Sequence, residues 1–283
     1  MLRSNRGKAK LHLINVWLTI LLERPFNLRM LITANPSELE IITSKLKNVT
    51  VSKSVKYLGD IYENYFSGSS NTTLRIDNKV YKASHFVRNL ELVVCPYCNR
   101  NFIFNVSDKK KTRRLSELDH FYPKTLYPAL YMSFFNLVPV CHNCNHIKSN
   151  SKAFYVNPYK EFVSDSHILF KLKIKGSNFI TNPKSFRLGW VLSNEYEEMF
   201  YDLKLHRTYP MHKVIISDII KKKYIYTDKY VDDVLSALKR KIYVDKTDFL
   251  NSILSANVQE NKLTERPFSK LTKDIWNDLN GKI

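Results

Sequence analysis

Apolar positions recur at helical spacing over the first and last thirds of the chain, and at short alternating spacing between them. Leu11 to Leu22 (LHLINVWLTILL) is an apolar run behind a basic lead of Arg3, Arg6, Lys8 and Lys10. It resembles the front of a secretory signal, but Glu23-Arg24-Pro25 follows where a small-residue cleavage site would stand, and the run is too short to span a bilayer. The expectation is a cytoplasmic protein without a membrane segment. Met30 reads as an alternative start, which would make residues 1–29 an upstream extension. Asn35-Pro-Ser-Glu38 then has the form of a helix start, with an Asn cap, Pro at the first helical position and Glu three after the cap. A helix to about Lys47 follows, and a second from about Val55 to Phe66 ends at the turn Ser67 to Asn71.

From Leu92 to Tyr159 the texture changes. Asn101 to Val106 is β-like, Lys109 to Arg114 is a basic loop, Arg114 to Leu118 suits one strand of a hairpin, and turns gather around Pro123, Pro128 and Pro139. Ile168 to Ile174 alternates apolar and basic residues as a strand does. Farther on, Tyr230, Val231, Val234, Leu235, Leu238 and Ile242 mark the core face of a helix opened by Thr227 or Asp228. The basic runs Lys221 to Lys223 and Lys239 to Lys241 are either phosphate contacts or solvated helix faces. The expected organisation is a helical region over 30–90, a separate module over 91–160 and a mostly helical region over 161–283.

Composition sharpens this in two ways. The 283 residues are 44% hydrophobic, enough for a real core, and carry 45 Lys and Arg against 26 Asp and Glu, a formal charge of +19. A polyanionic partner is the natural reading of that excess, with codon bias in an AT-rich genome as the competing one. With 6 glycines and no glycine-rich loop, a nucleotide-binding fold is not expected. All 4 cysteines fall in two Cys-x-x-Cys pairs, Cys95-Pro-Tyr-Cys98 and Cys141-His-Asn-Cys144, which favours metal in a reducing compartment.

Two such turns present four thiolates to one tetrahedral zinc, leaving no open position for water and so a structural role. The competing reading is four thiols or two redox pairs, and no thioredoxin-like βαβ pattern supports it. His142 and His146 flank the second pair, but four cysteines already suffice as ligands. Between the pairs stands Glu117-Leu-Asp119-His120. An adjacent acid and histidine on a strand point to opposite faces unless the strand ends or bulges there. Phosphodiester hydrolysis needs a base for water and a divalent metal for charge, which a neutral His and a hard carboxylate supply. Asn136 opens the return to the second pair. Asn145 follows Cys144 on an expected helix that carries Lys148 one turn later.

In order, the Cys-x-x-Cys pair, Leu-Asp-His-Phe-x-Pro-Lys, Asn-Leu-x-Pro-x-Cys and Cys-x-x-Cys-Asn-x-x-Lys resemble the His-Asn-His (HNH) endonucleases, in the variant with Asn at the third position. The resemblance covers about Cys95 to Lys148. It implies an α+β protein with a ββα-metal, treble-clef-like module flanked by helical regions. It further implies His120 as general base, Asp119 and Asn145 as ligands of a catalytic Mg²⁺ or Mn²⁺, Asn136 as the residue holding the His120 imidazole, and Lys148 as a phosphate contact. Cys95, Cys98, Cys141 and Cys144 are the structural zinc ligands. An amide oxygen in place of the third histidine favours the harder ions. The wider layout, through Arg266-Pro-Phe-Ser-Lys-Leu-Thr-Lys-Asp274, resembles bacterial antiphage nucleases found beside ATPases, such as the Septu nuclease subunit. DNA and an ATPase are the partners this implies. The alternatives are a non-catalytic zinc-knuckle nucleic-acid binder and a zinc-stabilised adaptor.

Overall fold

The computed structural model of the chain describes residues 5–46, 53–67, 74–76, 79–107, 112–149, 153–154, 156–238 and 244–281. Two compact units emerge, Met1–Glu91 with Phe104–Lys160, and Leu92–Ile103 with Glu161–Ile283. The N-terminal helices thus belong to the same body as most of the central module, and the first cysteine pair to the other unit. The fold is mixed α and β, each sheet of the described residues has two strands, and no described helix is long and apolar enough to cross a membrane.

In the first unit, α1 (Asn5–Leu22) buries Ile14, Leu18 and Leu22 on one stripe and packs on α2 (Leu28–Thr33), α3 (Pro36–Leu46) and α4 (Lys53–Ile61). Asn15 Oδ1 accepts from the Leu28 N–H at 2.8 Å, and Thr19 hydroxyl pairs with the Phe26 backbone. Within 1–29, Ile14, Leu18, Leu22, Phe26 and Leu28 are buried in this unit, because the apolar run has a partner surface to pack against. At α3 the expected cap is reciprocal. The Glu38 N–H donates to Asn35 Oδ1 at 3.0 Å and the Asn35 N–H to Glu38 Oε2 at 2.9 Å.

Helix α4 loosens into a π-helical turn, Tyr62–Ser67, that turns Tyr62 and Phe66 inward. The turn expected at Ser67 to Asn71 lies largely outside the described residues. A small hairpin, β1 (Leu74–Ile76) with β2 (Lys79–Tyr81), leads to α5 (Ala83–Asn89). β3 (Asn105–Ser107) pairs with β4 (Thr112–Arg114), and β5 (Glu117–His120) with β6 (Leu137–Val140), followed by α6 (His142–Lys148). The strand expected over Arg114 to Leu118 is thus divided between two sheets. Tyr62, Phe66, Phe86, Val87, Leu118 and Leu137 share one core cluster.

In the second unit, β7 (Ile168–Ile174) lies where the alternation placed it and pairs antiparallel with β8 (Phe186–Leu192). Helices α7 (Asn194–Asp202), α8 (Leu205–Thr208), α9 (Lys213–Ile225), α10 (Asp228–Leu238), α11 (Lys246–Leu254) and α12 (Ser269–Asp278) follow. Thr227 Oγ1 accepts from the Tyr230 N–H at 3.3 Å, which makes Thr227 the cap of α10, and Val231 and Leu235 are buried as its face predicts. Lys239, Lys241 and Ile242 lie outside the described residues.

Helix α12 is buried from Ser269 to Trp276. Its carboxylates serve the free edge of β7. Asp274 Oδ2 accepts from the Phe170 N–H at 2.9 Å and Asp278 Oδ2 from the Leu172 N–H at 2.7 Å. Buried Lys270 pairs with Asp274 and, at 3.0 Å, with Asp165. Removing one partner of a buried pair leaves an uncompensated charge, which costs about 3–5 kcal/mol. Asp274→Ala should therefore lower the unfolding free energy by about that amount, read as a lower urea midpoint, whereas a surface change such as Asp228→Ala should leave the midpoint nearly unmoved.

Candidate functional site

The first cysteine pair is a tight loop in which the Asn99 N–H donates to the Cys95 carbonyl and the Cys95 N–H to the Asn101 carbonyl, each at 2.9 Å. Asn99 has φ +46°, a left-handed conformation that Asn tolerates. Its side chain accepts from the Lys270 N–H at 3.0 Å and donates to the Leu263 carbonyl at 2.7 Å. Tyr209 hydroxyl donates to the Cys98 carbonyl at 2.6 Å. In the second pair, Cys141 is the N-cap residue of α6 and Cys144 lies one turn in. All four cysteines are buried, and their Sγ atoms lie within 4.8 Å of one another. A tetrahedral site with metal–sulfur bonds of about 2.3 Å has edges of about 3.8 Å. The set could therefore hold one structural metal ion such as zinc.

Strand β5 divides the remaining residues between its two faces. Glu117 and Asp119, two apart, meet α6 on one side. Leu118 and His120 enter the aromatic core on the other. His120 is held edge-on by Tyr62 and Tyr131, with ring centroids at 4.8 and 5.3 Å. Its Nε2 lies 3.2 Å from the Tyr131 carbonyl oxygen. A carbonyl only accepts, so Nε2 carries the proton and Nδ1 presents the lone pair. Burial pulls the His120 pKa down to about 4, with the Tyr131 hydrogen bond opposing and Lys124 and Lys148 adding to the fall. The imidazole is neutral at pH 7.

Asn136 is completely buried. Its Oδ1 accepts from the Tyr122 N–H at 2.7 Å, and its Nδ2 donates to the carbonyls of Leu130 and Tyr122 at 3.1 and 3.3 Å. The resemblance implied that Asn136 holds the imidazole. Instead the Tyr131 carbonyl does so, and Asn136 fixes the backbone on either side of that contact, because it sits in the short turn just before β6.

Lys148 also departs from expectation. Its side chain is 0% exposed, and its ammonium lies 2.9 Å from Asp119 Oδ2, 3.0 Å from Oδ1 and 2.9 Å from the His120 carbonyl. Burial lowers its pKa and the Asp119 carboxylate works against that fall. From that position it pins α6 to β5, its ammonium turned to the strand and away from solvent.

Asn145 stands at the rim. Its Nδ2 donates to Glu117 Oε2 at 2.6 Å, leaving the amide oxygen as its atom for a ligand, while the other Glu117 oxygen takes His142 Nδ1 at 2.6 Å. Sequence reasoning gave Glu117 no role. The period-two alternation of a strand, which puts it on the Asp119 face, was the available signal. A cleft of about 490 Å³ is lined by Tyr62, Glu117, Asp119, His120, Lys124 and Asn145, among others. It brings together Asp119, His120 and Asn145, but not Asn136 or Lys148.

No protein family, characterised protein or solved structure compared with the chain matches it. The site therefore stands on its own geometry. In a second group with metal-ligand atoms close together, Glu161, His167 and Glu195, the histidine is already engaged at both ring nitrogens. His167 Nδ1 accepts from the Ser164 N–H at 3.2 Å, so Nε2 carries the proton and faces Glu161 Oε1 at 3.2 Å.

Two outcomes are expected. The His120 ring should titrate near pH 4 by NMR, against about 6.5 for an unfolded chain. Because its folded pKa is the lower one, the unfolded state takes up the proton first, so His120 weakens stability as pH falls from about 6.5 through 4 and has no effect above that window. The purified protein should also hold about one zinc per chain by elemental analysis, and Cys141→Ser should lose it together with much of the fold, since structural zinc contributes roughly 10–16 kcal/mol in small sites.

Proposed function

We propose that the protein is a metal-dependent endonuclease of the HNH type that hydrolyses DNA phosphodiester bonds. The observation that carries this reading is a neutral imidazole whose Nε2 is committed to a backbone carbonyl, beside a cleft that also receives carboxylate and amide oxygens. The order β5, β6, α6 is what a ββα-metal module requires, and the four-cysteine set suits its zinc support.

His120 Nδ1 takes a proton from a water in the cleft. The Tyr131 carbonyl keeps the ring in the required tautomer and steadies the imidazolium that forms. Asp119 and the Asn145 amide oxygen would hold the divalent ion, and oxygen donors of this kind fit Mg²⁺ or Mn²⁺. Each Asp119 oxygen carries two lone pairs, so an ammonium at both leaves acceptor capacity on the carboxylate. Bound there, the ion supplies positive charge for the scissile phosphate and the leaving oxygen. Glu117 keeps the Asn145 amide turned so that its oxygen is the donor. By resemblance, an ATPase partner gates the cutting in an antiphage system.

A non-catalytic zinc-knuckle nucleic-acid binder is the second reading, and the specific observation in its favour is the Lys148 ammonium beside Asp119. Plasmid cleavage in Mg²⁺ separates the two. His120→Ala should slow cleavage by about 10²–10⁴ while zinc content and DNA affinity hold. If wild type and His120→Ala are equally inactive, or equally active, the assignment of the base is wrong.

A further inference from the structure

The hairpin of β7 and β8 has two unlike faces. Phe170, Trp190 and Phe186 lie on the face shared with Ile168, and Phe170 and Phe186 are buried. The register puts Lys171 opposite Gly189 and Lys173 opposite Arg187 on the other face, with Lys175 continuing the row beyond the end of β7. Neither strand contains an acid. Among the described residues, none of these four cations has a side-chain hydrogen bond or ion pair, whereas Lys45, Lys124, Lys160 and Lys246 all have carboxylate partners.

Like charges directly opposite on a sheet are destabilising, so Lys173 facing Arg187 is a local cost without an internal compensation. Gly189 accommodates it. A Cβ at Gly189 would lie 2.7 Å from Lys173 Cε, so the lysine stem runs across the strand where a side chain is missing. Lysines two apart on one strand repeat at about 6.6–6.8 Å, giving a row of cations on a stiff ribbon.

We propose that this face is a docking surface for the phosphate backbone of duplex DNA. Its charge is complementary to that partner. It also lacks the exposed aromatic rings on which single strands stack, since the hairpin's aromatic residues lie on the opposite face. The choice of DNA as the polyanion rests on the endonuclease reading, while the basic face itself does not.

The test is binding of the full-length chain to a fluorescent duplex by anisotropy from 50 to 200 mM salt, without added divalent cation, so that cleavage plays no part. The combined variant Lys171→Gln, Lys173→Gln, Lys175→Gln and Arg187→Gln should bind ten- to a hundredfold more weakly, with a log–log salt slope shallower by up to about 3.6. A control with the same change of charge, Arg207→Gln, Lys213→Gln, Lys221→Gln and Lys229→Gln, should lose far less, and both variants should melt near wild type. Equal losses in the two variants, or a wild-type chain that ignores duplex DNA, would overturn the proposal. So would an effect confined to phosphatidylserine vesicles, which would assign the face to a membrane surface. The nuclease reading can fail separately, if duplex binding depends on this face and His120→Ala leaves cleavage unchanged.

Discussion

A single buried ammonium sets the geometry of the candidate site. Lys148, in the last turn of α6, reaches the Asp119 carboxylate and the His120 carbonyl, and so fixes helix to strand at the two adjacent residues on which the chemistry would rest. Desolvating a charge pair costs several kcal/mol per ion, and the attraction offsets this only when geometry and further hydrogen bonds are good. Such a contact adds little net stability compared with an apolar pair. It does penalise every arrangement in which α6 slides or turns, because each one strands a charge in the interior.

Asn136 constrains the opposite side of the hairpin by the same logic. With no exposure, it satisfies the Tyr122 N–H and the carbonyls of Leu130 and Tyr122. The carbonyl that receives His120 Nε2 belongs to Tyr131, the next residue after Leu130. The tautomer of the imidazole is thus fixed by backbone that a buried amide holds in place. Around these two anchors the aromatic cluster supplies low polarity for the ring, while α6 supplies polar partners for the acids.

Features carried by local chemistry were legible in the sequence. The Asn35 and Glu38 cap, the alternation of β7 and the gathering of the four cysteines needed only spacing. What escaped depended on direction. Lys148 looked like a surface cation because nothing in its neighbourhood says that its helix turns that edge toward Asp119. Glu117 looked idle because its partners, His142 and Asn145, come from a helix 25 and 28 residues on. The stretch that holds α1 read as an upstream extension because its packing partners α2 to α4 lie downstream, and β8 was missed because Gly189 interrupts its apolar run.

The alternation of β5 has one more meaning. One residue step separates His120, whose basicity is set by the dry aromatic side, from Asp119, whose charge is balanced on the helix side. The strand turns the two side chains toward surroundings of different polarity, and one cleft still reaches both. Substitutions at Tyr62 or Tyr131 act first on the imidazole, and substitutions at His142 or Asn145 first on Glu117, while Lys148 reaches both sides, because it pairs with Asp119 and also helps to lower the His120 pKa. The lysine is therefore a position at which a change on the helix side is felt on the aromatic side as well.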